Sequence, residues 1–153
     1  MELDTCATVH TSDEKERVLS TTSSSWNDYI TVVLVESGHV TAAAIHSTRS
    51  GSLWAGTPNF RLSYNEIQAI EGGFMNDEQI RIHGIYLNGR HFTLSRLSEQ
   101  RIMVGRDARS GHGCVVYRCR QCLVVAVYEE SNHPGGCFNT VVQLGDFLLE
   151  NKL

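Results

Sequence analysis

Two groups of residues in this sequence have types and spacing that could do chemistry. Cys119 and Cys122 form a C-x-x-C pair, with His112 and Cys114 close by in the sequence. Such a pair can work as a dithiol redox centre or supply half of a zinc site. A structural zinc takes four ligands, and the chain has no second C-x-x-C and no H-x3-H. A redox pair usually sits at a helix start, whereas 118–130 reads as strand, so structural thiols are expected and no metal or other cofactor is called for. The second group is arginine. Residues 81–120 carry Arg81, Arg90, Arg96, Arg101, Arg106, Arg109, Arg118 and Arg120 against only Glu99 and Asp107, with His83, His91 and His112 among them. That is a local excess of six positive charges in a chain whose formal net charge is −4. Guanidinium groups bind carboxylate or phosphate through a two-pronged fork, so the segment suits an acidic protein or an anionic headgroup, although strands also scatter arginines for solubility.

Elements must hold these residues in place. The chain has 153 residues, 41% apolar and 20% charged, which fits one globular domain with or without a tail. The bulk charge argues against a general nucleic-acid binder, and no stretch approaches the roughly 20 apolar residues of a membrane span. Residues 1–25 are rich in Thr and Ser, carry a net charge of three negatives and have no apolar period. They read as a flexible extension without a secretory signal, and with five cysteines the chain reads as a cytosolic protein with reduced thiols. Order is expected from Ser25 or Trp26, where a serine cap and Asp28 in the first turn open a helix that Gly38 stops. A hairpin follows over Val40–His46 and Leu53–Ala55. Ser63 and Glu66 form a capping box for a helix that runs through Ile70 and stops at Gly72-Gly73. Short strands follow over 84–87, 90–94, 100–105, 114–118 and 123–129, with Asn88-Gly89 as a hairpin turn. Pro134-Gly135-Gly136 is the last break, before a helix over 137–150. The layout predicts an α+β domain over 26–153: a central antiparallel β-sheet, N- and C-terminal helices on one face, shorter helix and loop elements on the other.

Trp26 and Tyr29, three apart, share one helix face at the polar start of the ordered part, and Trp54 sits on a hairpin strand. The stripe is either core packing or an aromatic shelf, and a shelf is what proline-rich segments dock on, since their pre-formed helix loses little entropy on binding.

The motif set resembles the profilin family. Trp26-Asn27-Asp28-Tyr29-Ile30 looks like the first profilin helix, and Ala42-Ala43-Ala44-Ile45 with Ser52-Leu53-Trp54-Ala55 looks like its first hairpin. Leu123 to Glu130, then Pro134-Gly135-Gly136-Cys137 and Leu144-Gly145-Asp146-Phe147-Leu148, resemble its last strand and closing helix. The resemblance implies a cytoplasmic, cytoskeleton-associated protein that binds actin monomer and proline-rich segments of actin-assembly factors, with phosphoinositides as a further partner. It implies a poly-proline surface of Trp26, Tyr29, Trp54, Phe147, Leu148 and Leu153. It implies an actin surface of His91, Arg96, Arg106, Arg109, Arg118, Pro134, Gly135, Asn139 and Gln143. The extension over 1–25 departs from the family, as do Val115, Tyr117 and the stretch 95–103.

Two other readings stand beside this one: a phosphoinositide-binding adaptor with weak actin binding, and a metal or redox protein on Cys119, Cys122, His112 and Cys114. The chain has no G-x-S-x-G, no Walker-type glycine loop and no H-E-x-x-H, so the expectation is a binding protein rather than an enzyme.

Overall fold

The computed structural model describes residues 25–129 and 134–153. The expected extension lies, apart from Ser25, outside the described residues. Seven strands form one antiparallel sheet: β1 (Ala42–Ser47), β2 (Leu53–Gly56), β3 (Ile85–Leu87), β4 (Arg90–Ser98), β5 (Ile102–Arg106), β6 (Gly113–Arg118) and β7 (Cys122–Tyr128), in the order β2-β1-β7-β6-β5-β4-β3. β7 is an interior strand, and its six residues Leu123 to Tyr128 are apolar without alternation because both faces of the sheet are covered there.

The register sorts the side chains into two cores. Val124, Ala126 and Tyr128 join Val115, Tyr117, Ala43 and Ile45 on one face, while Leu123, Val125 and Val127 join Cys114, Val116 and Ala44 on the other. The first face carries the helices of both ends of the domain. The opening helix α1 is composite, α-helical over Trp26–Asp28, π-helical over Tyr29–Leu34 and 3-10 over Val35–Ser37. Ser25 and Asp28 form its capping box, and Gly38 ends it at φ 81°. The closing helix α4 (Pro134–Glu150) lies on the same face. The second face is covered by α2 (Tyr64–Met75) and α3 (Glu78–His83). The α+β architecture read from the sequence is therefore the one observed.

Several elements differ from expectation, among them β4, which runs on to Ser98 instead of ending at Leu94. α2 does not stop at Gly72-Gly73 but continues to Met75, because Gly73 is where α3 approaches: a Cβ there would lie 2.9 Å from Ile80 Cδ1. α3 itself has no counterpart in the sequence reading, being six residues long. Pro134-Gly135-Gly136 opens α4 rather than breaking the chain, since proline tolerates a first helical turn whose N–H groups lack intrahelical partners. Asn88 and Gly89, at φ 53° and 84°, make the expected tight β3–β4 turn, and the Glu66 carboxylate accepts from both their N–H groups at 3.0 and 2.8 Å.

His46 on β1 is fully buried. Its Nε2 accepts from the Leu62 N–H at 3.1 Å, so Nδ1 carries the proton and donates to the Gly51 carbonyl at 3.0 Å. Burial holds its pKa below the ordinary histidine value, against an upward pull from that carbonyl. The unfolded chain then binds a proton between the depressed value and about 6.5 that the native chain does not, so His46 contributes stability above that window and loses it as pH falls through it. Melting temperature is expected to drop between about pH 7 and pH 5, and His46→Gln to flatten that slope; an unchanged slope in the variant would remove His46 as its source.

Candidate binding surfaces

The first surface forms where the two terminal helices and the β1–β2 hairpin meet. The Ser25 cap sets Trp26 in the first turn of α1, β2 presents Trp54, and the last turns of α4 present Phe147. The Trp26 and Trp54 rings are 4.7 Å apart at 45°; Tyr29 meets Trp26 edge-on at 5.4 Å and Phe147 at 6.0 Å. Trp26, Trp54, Phe147 and Leu153 are partly exposed. Tyr29 and Leu148, expected on this surface, lie beneath it at 1% and 0% exposure and support it from the core. Burial and the adjacent Asp28 carboxylate raise the Tyr29 pKa, so its phenol stays neutral. Leu153 is held by a Schellman turn at the end of α4: Lys152 has φ 64°, its N–H donates to the Leu149 carbonyl at 3.0 Å, and the Leu153 N–H donates to that of Leu148 at 2.9 Å. The Gln121 backbone N–H donates to the Leu153 carbonyl, and its side-chain amide to that of Lys152 at 3.0 Å, tying this end to the β6–β7 turn.

The second surface is the part of the same sheet face that α1 and α4 leave uncovered. Thr93 pairs with Arg106 and Arg96 with Val104, with Ser95 as the extra residue between them. That bulge lets Leu94 point into the second core while Arg96 stays on the open face. Arg96 and Arg106, both exposed, line a groove of about 490 Å³ with Ser95, Val104, Val115, Tyr128, Gly135 and Phe138. The Arg96 guanidinium lies over the Phe138 ring at 4.6 Å. His91 and Arg109 share a neighbouring polar depression with Arg90, Thr93 and Asp107. Asp107 shapes that rim: its carboxylate accepts from the Arg109 N–H at 3.1 Å and the Ser110 hydroxyl at 3.0 Å, and these bonds lower its pKa. Asn139 and Gln143 are exposed one turn apart on α4, and Pro134 and Gly135 form its start.

One residue of the expected set does not join the others. Arg118 leaves β6 on the opposite face, where its Nε is 3.1 Å from Glu71 Oε1 on α2. Even-numbered residues of β6 face the second core, and the strand register decides this. Conversely, nothing in the sequence spacing of Phe138, the ring beneath Arg96, marks it as a stacking partner. Tyr117, flagged as a departure, is buried, and its hydroxyl donates to Asp146 Oδ1 at 2.5 Å, with burial raising its pKa.

The thiols have the opposite of a reactive environment. Cys114, Cys119, Cys122 and Cys137 are free and buried. Burial raises the Cys114 thiol and pushes that of Cys137 up to about 12, while a hydrogen bond to Cys122, with burial, raises Cys119. Nucleophilic or metal-ligating cysteines need the thiolate form, which this environment disfavours. Among the described residues no group of three or more His, Cys, Asp or Glu is placed to hold a metal ion. No helix among them is long and apolar enough to cross a membrane.

A seven-stranded antiparallel sheet with both terminal helices on one face, an aromatic cluster where they meet and a basic groove beside them define a small α+β binding domain. The Profilin family model matches residues 24–153, and the chain belongs to the profilin family. It is 32% identical over 125 residues to the profilin of Schizosaccharomyces pombe, covering 82% of this chain and 96% of that protein. The crystal structure of Acanthamoeba castellanii profilin II superposes with a TM-score of 0.78 at 29% identity, covering 84% of this chain and all of that one. Mouse profilin IIa, solved in complex with a double repeat from the FH1 domain of mDia1, shares the fold with a TM-score of 0.72 at 20% identity, over 85% of this chain and all of that one.

Proposed function

We propose that this protein binds actin monomer on the basic groove face and proline-rich segments of actin-assembly factors on the aromatic shelf, and so regulates actin assembly in the cytoplasm. The observation that carries the reading is the shelf itself: three partly exposed rings from three separate elements, Trp26 against Trp54 and Phe147 joined to them through the buried Tyr29. Apolar rings kept partly open beside a buried phenol suit a ligand that is stiff, extended and rich in pyrrolidine rings. The FH1 complex of the mouse relative supports it. The second surface supports actin binding through Arg96, Arg106 and Arg109, which have no ion-pair partner among the described residues. Two surfaces on separate parts of the domain let one molecule hold actin and a proline-rich partner together, raising actin's local concentration where the partner sits.

Retention of the full chain on poly-L-proline resin tests the shelf, and passage straight through overturns it. Arg96→Glu with Arg109→Glu is expected to weaken actin-monomer binding by at least about tenfold, through a slower on-rate, with proline-peptide affinity unchanged. Pyrene-actin assembly curves identical for wild type and variant would remove actin from this face. The depression formed by Arg90, His91 and Arg109 favours a second reading, in which it takes a phosphoinositide headgroup. Liposome co-sedimentation with and without actin separates the two.

A further inference from the structure

The groove between β4, β5 and the start of α4 holds two exposed guanidiniums, Arg96 and Arg106, with no ion-pair partner among the described residues. Its walls, Val104, Val115 and Phe138, are apolar, so charge brought there is partly shielded from water. The same chain carries acid of its own. Residues 1–24 hold Glu2, Asp4, Asp13, Glu14 and Glu16 against Lys15 and Arg17, a net charge of three negatives.

The geometry of the two terminal helices sets the reach. Trp26, at the start of α1, touches the Phe147 end of α4 through Tyr29, while His39, just past α1, packs against Gly136 at the other end of α4. α1 therefore points its N-terminus away from the groove. The distance back along α4 from Phe147 to Phe138 is nine residues, about 14 Å at helical rise. Nine residues also separate Glu16 from Ser25, and an extended chain of that length spans up to about 30 Å. The steps from Trp26 through Tyr29 to Phe147, 5.4 and 6.0 Å between rings, add to this path, and the whole still falls within that extended length, so Asp13, Glu14 and Glu16 can reach Arg96 and Arg106.

We propose that the acidic segment within residues 1–24 occupies the Arg96–Arg106 groove of its own molecule through Asp13, Glu14 and Glu16. Held by a tether, these carboxylates have a high effective concentration at the groove, so weak, salt-sensitive pairing suffices to populate the docked state. Its consequence for actin rests on the proposed function: a segment in this groove competes with an acidic partner there, and the shelf stays open.

The test is made on the full chain with a nitroxide attached at Cys6, the four other cysteines being buried. At low salt the label is expected to broaden the amide resonances of Ser95, Arg106 and Gly135 selectively, leaving those of α2 on the opposite face sharp. The selectivity is expected to vanish at about 0.5 M salt, where screening acts within a few ångströms, and in the triple variant D13N/E14Q/E16Q. Uniform broadening, or a pattern the triple variant keeps, overturns the proposal. The same variant is expected to bind actin about threefold more tightly. Selective broadening without that gain supports the docking and instead removes actin from this face.

Discussion

Replacing Trp26 with alanine is expected to abolish retention on poly-L-proline while the domain stays folded. Trp26 is the middle member of the shelf, in contact with both Trp54 and Tyr29. Tyr29 cannot take its place, because it lies buried beneath. Truncating a central aromatic of a binding site typically costs about 2 kcal/mol or more, a loss of about thirtyfold in affinity. The stability cost is smaller than for a core tryptophan, since Trp26 is only partly buried and its removal leaves a dent rather than a closed cavity. A loss of about 2 kcal/mol leaves a domain of ordinary stability folded. Elution of the variant at the wild-type position would take Trp26 out of the site. Unchanged actin affinity in the same variant is the companion expectation, because the groove lies at the other end of α4.

The largest effect on stability is expected at Gly145. A glycine in the middle of a helix is normally a liability of about 1 kcal/mol against alanine. Here a Cβ would fall 2.3 Å from Tyr117 Cγ and 2.4 Å from both its Cδ atoms. The ring has nowhere to go: it is 1% exposed and its hydroxyl is fixed on Asp146. The helix is held down by Leu144 and Leu148, both fully buried. Overpacking of this kind costs about 1–3 kcal/mol, which outweighs the helix-propensity gain. Gly145→Ala is therefore expected to lower the melting temperature by several degrees. The cost is expected to shrink in a Tyr117→Ala background, where the cycle isolates the contact. Equal costs in both backgrounds would show that the ring is not what excludes the methyl group.

These two sites differ in how far the sequence announces them. Trp26 and Tyr29 stand three apart behind a serine cap, so their shared helix face follows from spacing alone. Gly145 reads as an ordinary weak spot in an apolar helix, and its meaning depends on which ring β6 turns toward it. The same contrast runs through the fold. The Ser63–Glu66 capping box and the Asn88-Gly89 turn act within a few residues, and both formed as read. The run of Gly72-Gly73 looked like a helix stop, yet the second glycine serves the approach of Ile80, a contact that exists only once α3 has folded back.

The sequence by itself determined most of the elements, their order and the aromatic stripe, because local backbone preferences and apolar spacing act over a handful of neighbours; the family followed from the resemblance of its motifs. The sequence also determined that the middle of the chain is basic. Only the tertiary structure decided which arginines share a surface. Strand register sends Arg96 and Arg106 to one face and Arg118 to the other, against Glu71, and a single bulge at Ser95 keeps Arg96 on the open side. The same packing decided that Tyr29 and Leu148 support the shelf rather than line it. Alternation along a strand fixes which residues travel together, but the face they reach depends on pairing with strands far away in the chain.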